Sequence, residues 1–274
     1  MIYVTGSNGL IGKKFLELSN YPITKVSYRD EPQDVFESHE NSCLIHLAWS
    51  STTRNTYDEF EKFVKNDVIN SKKIFDFYSN KNPNGKIIFI STAGGLYVNH
   101  ERTVDENSLV NPNTLYGDLK LQVENILKTV ECDTITLRVS NVWGGKSLPS
   151  NRINGLVDKL LSSVNTDNII DLYTNLDTRI DIIHVDDLIE LIQKCVEKNS
   201  YIKNDMFVVG SQSLTIKELL DIITSSGYLN LKLSRKQSKS YLHVETRRVS
   251  TAFEWKSKCK LIWKKYPVWV TIIR

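Results

Sequence analysis

Short apolar runs alternate along the first half of the chain with longer stretches whose apolar residues recur every three or four positions. That rhythm predicts a parallel sheet covered by helices on both faces. The runs predict strands at Ile2–Thr5, Lys25–Tyr28, Cys43–Ala48, Lys86–Ser91 and Thr134–Val139. The periodic stretches predict crossover helices at Leu10–Leu18, Tyr57–Tyr78 and Leu115–Val130. The expected class is α/β, a doubly wound sheet.

The pattern changes after residue 144, where "GGKSLPSN" interrupts it. A helix is expected over Ile153–Leu161 and a strand at "IIDLY" near Ile169. In "RIDIIHVDDLIELIQKC" the chain is expected to return to the sheet, with a strand ending near His184 and a helix capped near Asp186. "DMFVVGSQSLTIKELLDIITSSG" predicts one more strand and helix, with Ser213 or Thr215 as the cap. A second, smaller and partly interleaved domain follows. We place the first domain at 1–143, joined by about 179–200, and the second at 144–178 and 201–274. The basic stretch "LKLSRKQSKS" reads as a solvated loop.

Composition narrows the function classes without choosing one. In 274 residues, 35 basic and 32 acidic side chains leave a net charge of +3, too small and dispersed to make nucleic acid the default partner. Cys43, Cys132, Cys195 and Cys259 show no metal-ligand spacing and no disulfide framework, so reduced, mostly buried thiols and no metal are expected. The first residues carry no targeting pattern, and no apolar run reaches membrane-spanning length. A cytoplasmic protein with no membrane partner is expected.

Two constellations carry candidate chemistry. "YVTGSNGLIGKK" sets Gly6, Gly9 and Gly12 between a strand and a helix, the context in which a glycine turn binds a dinucleotide. Gly6 would permit the turn, Gly9 the approach of a pyrophosphate and Gly12 close helix–strand packing. The free N–H groups at the helix start would meet the phosphates. Farther along, "NTLYGDLKLQVE" places Tyr116 and Lys120 four residues apart on one helix face. A phenol titrates near 10 and needs help to exchange protons at neutral pH; a neighbouring ammonium favours its phenolate. The plainer alternative makes Tyr116 a packing aromatic and Lys120 a surface charge.

The glycine turn, "HLAW" at His46–Trp49, Asn66 in the long helix, "IFISTAGGLY", "YGDLK", "LRVSNVWG" and "IDIIHVDDL" together resemble an extended short-chain dehydrogenase/reductase. More narrowly they resemble the NAD-dependent epimerase/dehydratase family of nucleotide-sugar enzymes, from Met1 to about residue 226. The resemblance implies a Rossmann domain holding NAD or NADP and a smaller C-terminal domain holding a nucleotide diphosphate sugar. It implies that Tyr116 exchanges the proton of a sugar hydroxyl while Lys120 binds the nicotinamide ribose and lowers the tyrosine's pKa. By the same resemblance Asn8, Leu10, Ile11, Leu47 and Ala48 join the three glycines, Tyr116 and Lys120 around the cofactor, His46–Ala48 border its path, and Asn141 contacts the substrate diphosphate.

Some positions depart from the family pattern. Ala93 stands where relatives place a hydroxyl beside the tyrosine, so Thr92 or Ser91 must substitute; we expect Thr92 as the catalytic hydroxyl, with Ser91 and Thr92 both near substrate. The loop lacks the acidic pair of the family's dehydratases, which disfavours dehydration. Asp30 would bind the ribose of NAD and Arg29 the extra phosphate of NADP, with Asp30 at the ungapped spacing. Arg247 and Arg248 resemble a phosphate-binding position, with Arg247 taken as substrate-binding; a solvated surface charge is the alternative for either. The tail "KLIWKKYPVWVTIIR" reads as a strand. A homodimer would use Tyr57–Tyr78 and Leu115–Val130. The expected function is epimerisation at C4 of a nucleotide-linked hexose; an NADPH-dependent 4-keto-sugar reductase is the alternative, and a non-catalytic cofactor sensor the third reading.

Overall fold

The computed structural model describes residues 1–27, 32–98, 102–145, 155–172, 174–198, 204–225, 227–233, 242–259 and 271–273. The chain begins with β1 (Ile2–Thr5), α1 (Leu10–Leu18), β2 (Ile23–Val26), α2 (Pro32–Val35) and β3 (Cys43–His46). A helical segment of changing pitch follows: a 3-10 turn at Tyr57–Glu59, α3 (Phe60–Phe63), a π-helical turn at Val64–Ile69, and α4 (Asn70–Lys81). Next come β4 (Lys86–Thr92), α5 (Leu115–Leu127), β5 (Asp133–Val139), β6 (Asn141–Trp143), α6 (Leu156–Ser162) and β7 (Ile169–Leu172). The remainder is β8 (Arg179–His184), α7 (Val185–Glu197), β9 (Asp205–Val209), β10 (Gln212–Thr215), α8 (Ile216–Thr224), β11 (Asn230–Leu233), α9 (Arg247–Phe253) and β12 (Thr271–Ile273).

Six parallel strands form the main sheet in the order β2-β1-β3-β4-β5-β9. Alternate strand residues face opposite layers: Ile2, Val4, Ile45, Ile88 and Ile90 pack with α1, α7 and α9, whereas Tyr3, Leu44, Ile87 and Phe89 pack with α3, α4 and α5. The chain moves outward from β1 to β2 and then crosses to β3 on the other side. This places the topological switch, and the crevice that goes with it, at the carboxyl ends of β1 and β3.

The smaller region differs from the sequence expectation in one respect. The strand Arg179–His184 does not rejoin the main sheet; β8 lies between β10 and β6 in a sheet of its own. The sixth main-sheet strand is β9, while α7 packs back on the main core. Periodicity identifies a buried strand but not its pairing partner. A third sheet, β12-β11-β7, includes Thr271–Ile273 of the strand-like tail. Most of "LKLSRKQSKS" lies outside the described residues.

Local signals explain the helix starts. The α7 cap, expected near Asp186, is the His184 side chain, whose Nδ1 accepts from the Asp186 N–H at 3.2 Å. Thr215 rather than Ser213 caps α8 in a reciprocal box, accepting from Glu218 N–H at 3.1 Å while the Glu218 carboxylate accepts from Thr215 N–H at 2.7 Å. The predicted long helix is real in position but not uniform in pitch. Among the described residues the four cysteines are free and no group of His, Cys, Asp or Glu side chains is arranged to hold a metal ion. No described helix is long and apolar enough to cross a membrane.

Beneath the sheet's carboxyl edge lies a buried ion pair. Arg138 on β5 donates to Glu124 on α5 through Nη2 at 2.7 Å and Nε at 3.1 Å, and through Nη1 to the Tyr97 phenol at 2.6 Å. Ser91 donates to the same carboxylate at 2.5 Å. Removing one member strands the other charge away from water. Arg138→Met is therefore expected to cost about 3–5 kcal/mol in urea unfolding, and adding Glu124→Leu to recover most of that loss; a single variant as stable as wild type would show that the pair is dispensable.

Candidate functional site

The glycine turn is built by close approach. Gly6 has φ +65 and a Cβ there would lie 2.5 Å from the Ala48 nitrogen; a Cβ on Gly12 would lie 2.3 Å from the Gly6 carbonyl oxygen. The first turn of α1 therefore rests directly on the backbone of the preceding loop. Gly9, at the helix start, donates its N–H to the Gly6 carbonyl at 3.0 Å.

Across the switch point, a relay of hydrogen bonds fixes the loop after β3. Thr5 Oγ1 accepts from the Leu47 and Ala48 N–H groups, each at 3.0 Å, so its own hydrogen goes to His46 Nδ1 at 3.0 Å. Ser71 donates to the Asp67 carbonyl and accepts from His46 Nε2 at 2.8 Å. These directions assign the Nε2–H tautomer. Burial, followed by the charge of Lys120, drives the His46 pKa down to about 3, so the ring stays neutral. His46 thus braces the loop from within rather than bordering a ligand path. Ala48 contributes through its backbone, and Leu47 lines the cavity.

The π-helical turn aims Asp67 at the same loop. Its buried carboxylate accepts from Ser50 N–H at 2.8 Å, Ser50 Oγ at 2.6 Å and Ser51 N–H at 2.9 Å. A widened turn shifts the side chains within a helix, as is common at functional sites. Sequence reading picked out the neighbouring Asn66; the available signal for Asp67 was an acid one turn after Phe63 and Val64 on a core-facing helix stripe.

The chemistry-bearing residues meet at the carboxyl end of β4. Thr114 caps α5 by accepting from Gly117 N–H at 3.2 Å, which starts the helix one residue before the tyrosine. Tyr116 and Lys120 share one wall, as expected, and Thr92 hydrogen-bonds the phenol while accepting from Gly95 N–H at 3.1 Å. Ser91 is committed to Glu124, and Ala93 is buried in a separate apolar cluster. The hydroxyl at Tyr116 is therefore that of Thr92.

The Lys120 Nζ lies 5.8 Å from the Tyr116 ring centre and is anchored by closer partners. It donates to the Ile90 carbonyl at 2.7 Å and lies 3.8 Å from the centre of the Trp49 ring. Trp49 in turn meets Tyr116 edge-on, with centroids 6.3 Å apart. Burial lowers the lysine's pKa to about 7 against the opposing pull of Asp67 and Glu124. Burial also raises the Tyr116 pKa to about 12, with the Thr92 hydrogen bond pulling the other way. This departs from the expected lowering of the phenol's pKa by Lys120: burial dominates, and the Asp67 carboxylate adds to the rise.

Trp49, Thr92, Tyr116 and Lys120 line one cavity of about 550 Å³ together with the glycine turn. Gly6, Gly9, Leu10, Ile11 and Gly12 form one end. Asn141, Gly155 and Arg54 are among its other lining residues. Asn141 Nδ2 is tied to the Asp181 carbonyl at 2.8 Å. Asn8 is exposed and not among the lining residues. Neither is Arg247, which is exposed on α9, while Arg248 stacks on Phe207 and pairs with Asp205. Arg29 and Asp30 lie outside the described residues. Sequence reasoning missed Trp49 as a wall residue, although it stands in the quoted "HLAW", and also Asp158, whose carboxylate accepts from Gly144 N–H at 2.9 Å and Gly145 N–H at 3.0 Å.

Two outcomes test this construction. Gly12→Ala is expected to destabilise the protein by about 1–3 kcal/mol in urea unfolding, because the added methyl must displace backbone. Lys120 binds a proton more weakly folded, at about 7, than at its ordinary 10.5, so between these values the unfolded chain holds the extra proton and stability rises with pH. In cofactor-free protein Lys120→Met should be the more stable form at pH 7, with the advantage shrinking toward pH 10 by up to about 1.4 kcal/mol per unit. A difference independent of pH would rule out the buried ammonium.

A family model described as "NAD dependent epimerase/dehydratase family" matches residues 2–210. The chain is 26% identical to the dTDP-4-dehydro-6-deoxyglucose reductase of Escherichia coli, over 81% of this chain and 80% of that one. Its fold is similar to that of MoeE5 in complex with UDP-glucuronic acid and NAD, at 15% identity and a TM-score of 0.82, covering 95% of this chain and 94% of that one. It is also similar to the UDP-glucuronic acid 4-epimerase from Bacillus cereus, at 17% identity and a TM-score of 0.80, covering 95% of each chain. With the family model spanning the glycine turn, the tyrosine–lysine wall and all six main-sheet strands, the chain belongs to the NAD dependent epimerase/dehydratase family.

Proposed function

We propose that this enzyme epimerises a nucleotide diphosphate hexose at C4 through transient oxidation to the keto-sugar. The observation that carries the reading is the convergence of Thr92, Tyr116 and Lys120 on the inner wall of a cavity whose end is the Gly6–Gly12 turn. That turn fits a dinucleotide: side chains that would fill it are absent at Gly6 and Gly12, and the start of α1 offers backbone N–H groups to phosphates. When bound, NAD supplies reversible hydride storage. NAD is preferred here on the spacing of Asp30, with NADP as the alternative if Arg29 reads the ribose.

Tyr116 exchanges the proton of the sugar hydroxyl, and Thr92 orients the phenol and the substrate oxygen. Burial keeps the phenol protonated at neutral pH. It acts as a base when positive charge is brought close, and the Lys120 ammonium, 5.8 Å from the Tyr116 ring centre, is the nearby charge on the same wall. Asn141 lines the same cavity and would contact the substrate diphosphate.

A 4-keto-sugar reductase is the second reading, favoured by the identity to the Escherichia coli reductase. The tyrosine–lysine wall argues against a non-catalytic sensor. Exposed Tyr57, Phe60 and Ile69 support a homodimer through the expected helical face, in a cytoplasmic enzyme. The deciding experiment incubates the purified protein and NAD with UDP-glucose or UDP-glucuronic acid and follows the sugar by proton NMR. A C4 epimer is expected, and Tyr116→Phe should lower kcat by about 10²–10⁴ while retaining cofactor. NADPH consumption with a dTDP-4-keto-6-deoxy sugar, and no epimer, would replace this reading with the reductase.

A further inference from the structure

The Lys120 ammonium stands among three aromatic rings: 3.8 Å from the centre of Trp49, 4.8 Å from that of Phe89 and 5.8 Å from that of Tyr116. Trp49 is the nearest of them and is itself held in place. Its Nε1 donates to Ser51 Oγ at 2.8 Å, and its ring leans on Phe89 with centroids 6.1 Å apart. The Ser50 and Ser51 N–H groups that follow it are fixed by the Asp67 carboxylate. The charged and titratable groups around the lysine are committed to other partners or neutral. On α5, Glu124 is bound by Arg138 of β5 at 2.7 Å, and the Tyr116 phenol is protonated. Asp67 on the π-helical turn is taken up by the serines, and the His46 ring on β3 is neutral. What faces the ammonium at closest range is therefore the Ile90 carbonyl and the face of an indole, the ring that attracts a cation most strongly, above all where water is excluded.

Resting on the proposed reaction through Tyr116, we infer that Trp49 is a positioning residue: its ring seats the Lys120 ammonium, keeps it charged and fixes its distance from the phenol. The seat has no formal charge, so it favours the ammonium without drawing it into a carboxylate pair. Burial already lowers the Lys120 pKa to about 7. Removing the ring removes a contact made with the charged form, so the lysine releases its proton at lower pH still and ceases to favour the Tyr116 phenolate.

Two measurements test the assignment. In cofactor-free protein, tryptophan emission is followed across neutral pH. Wild type is expected to show a step with its midpoint near 7, as the ammonium over Trp49 loses its proton, and Lys120→Met to lose that step. An emission curve that Lys120→Met leaves unchanged would overturn the seat. With NAD and UDP-glucose or UDP-glucuronic acid, Trp49→Leu is expected to move the alkaline limb of kcat down by about one pH unit while KM changes less than about twofold. Trp49→Phe, which keeps a ring face, should recover part of the shift. A kcat reduced by the same factor at every pH would make Trp49 a packing residue and overturn the inference. The emission titration uses neither substrate nor a Trp49 variant, so it decides the contact even where Trp49→Leu does not fold. Absence of turnover by wild type would overturn the proposed function and leave the seat to be judged by emission.

Discussion

Keeping an ammonium in a nearly dry site is the constraint around which this enzyme is organised. Lys120 is 5% exposed, and an isolated charge at that depth is strongly disfavoured. Its partners come from different parts of the chain: the Ile90 carbonyl at the end of β4, the Trp49 ring from the loop after β3, and the carboxylates of Asp67 and Glu124 farther out. These partners share the charge without forming a close carboxylate pair with it. The lysine is thereby left near its titration point, responsive to whatever enters the cavity.

The requirement propagates outward. Asp67 is in place because the helix widens to π pitch at Val64–Ile69, and it returns the favour by tying down Ser50 and Ser51, which set Trp49. Glu124 is neutralised by Arg138, whose Nη1 engages Tyr97 in the loop after β4. That arrangement consumes the Ser91 hydroxyl and leaves Thr92 to meet Tyr116. Polar networks of this kind are costly when half satisfied, so their members position one another.

Much of the architecture was legible along the chain because burial on both faces of a parallel sheet leaves a strong apolar signal. Ile2–Thr5 and Leu10–Leu18 were read to the residue, and the Tyr116–Lys120 spacing put both side chains on one wall. The glycine turn was equally readable, since Gly6 and Gly12 answer to local backbone contact. The Arg247 assignment did not come to the cavity, because motif resemblance carries no information about which way a surface helix faces.

Sequence by itself determined the sheet-and-helix succession, the glycine turn, the pairing of Tyr116 with Lys120 and the absence of the dehydratase acids from the loop after β4. These depend on period, spacing and residue type, which are local. Only the tertiary structure decided that β9 and not β8 completes the main sheet, that Asp67 and Trp49 join the site, and that Thr92 rather than Ser91 meets the phenol. It also decided the sign of the Tyr116 shift, because desolvation is set by every neighbour that excludes water and not by the nearest charge in the sequence.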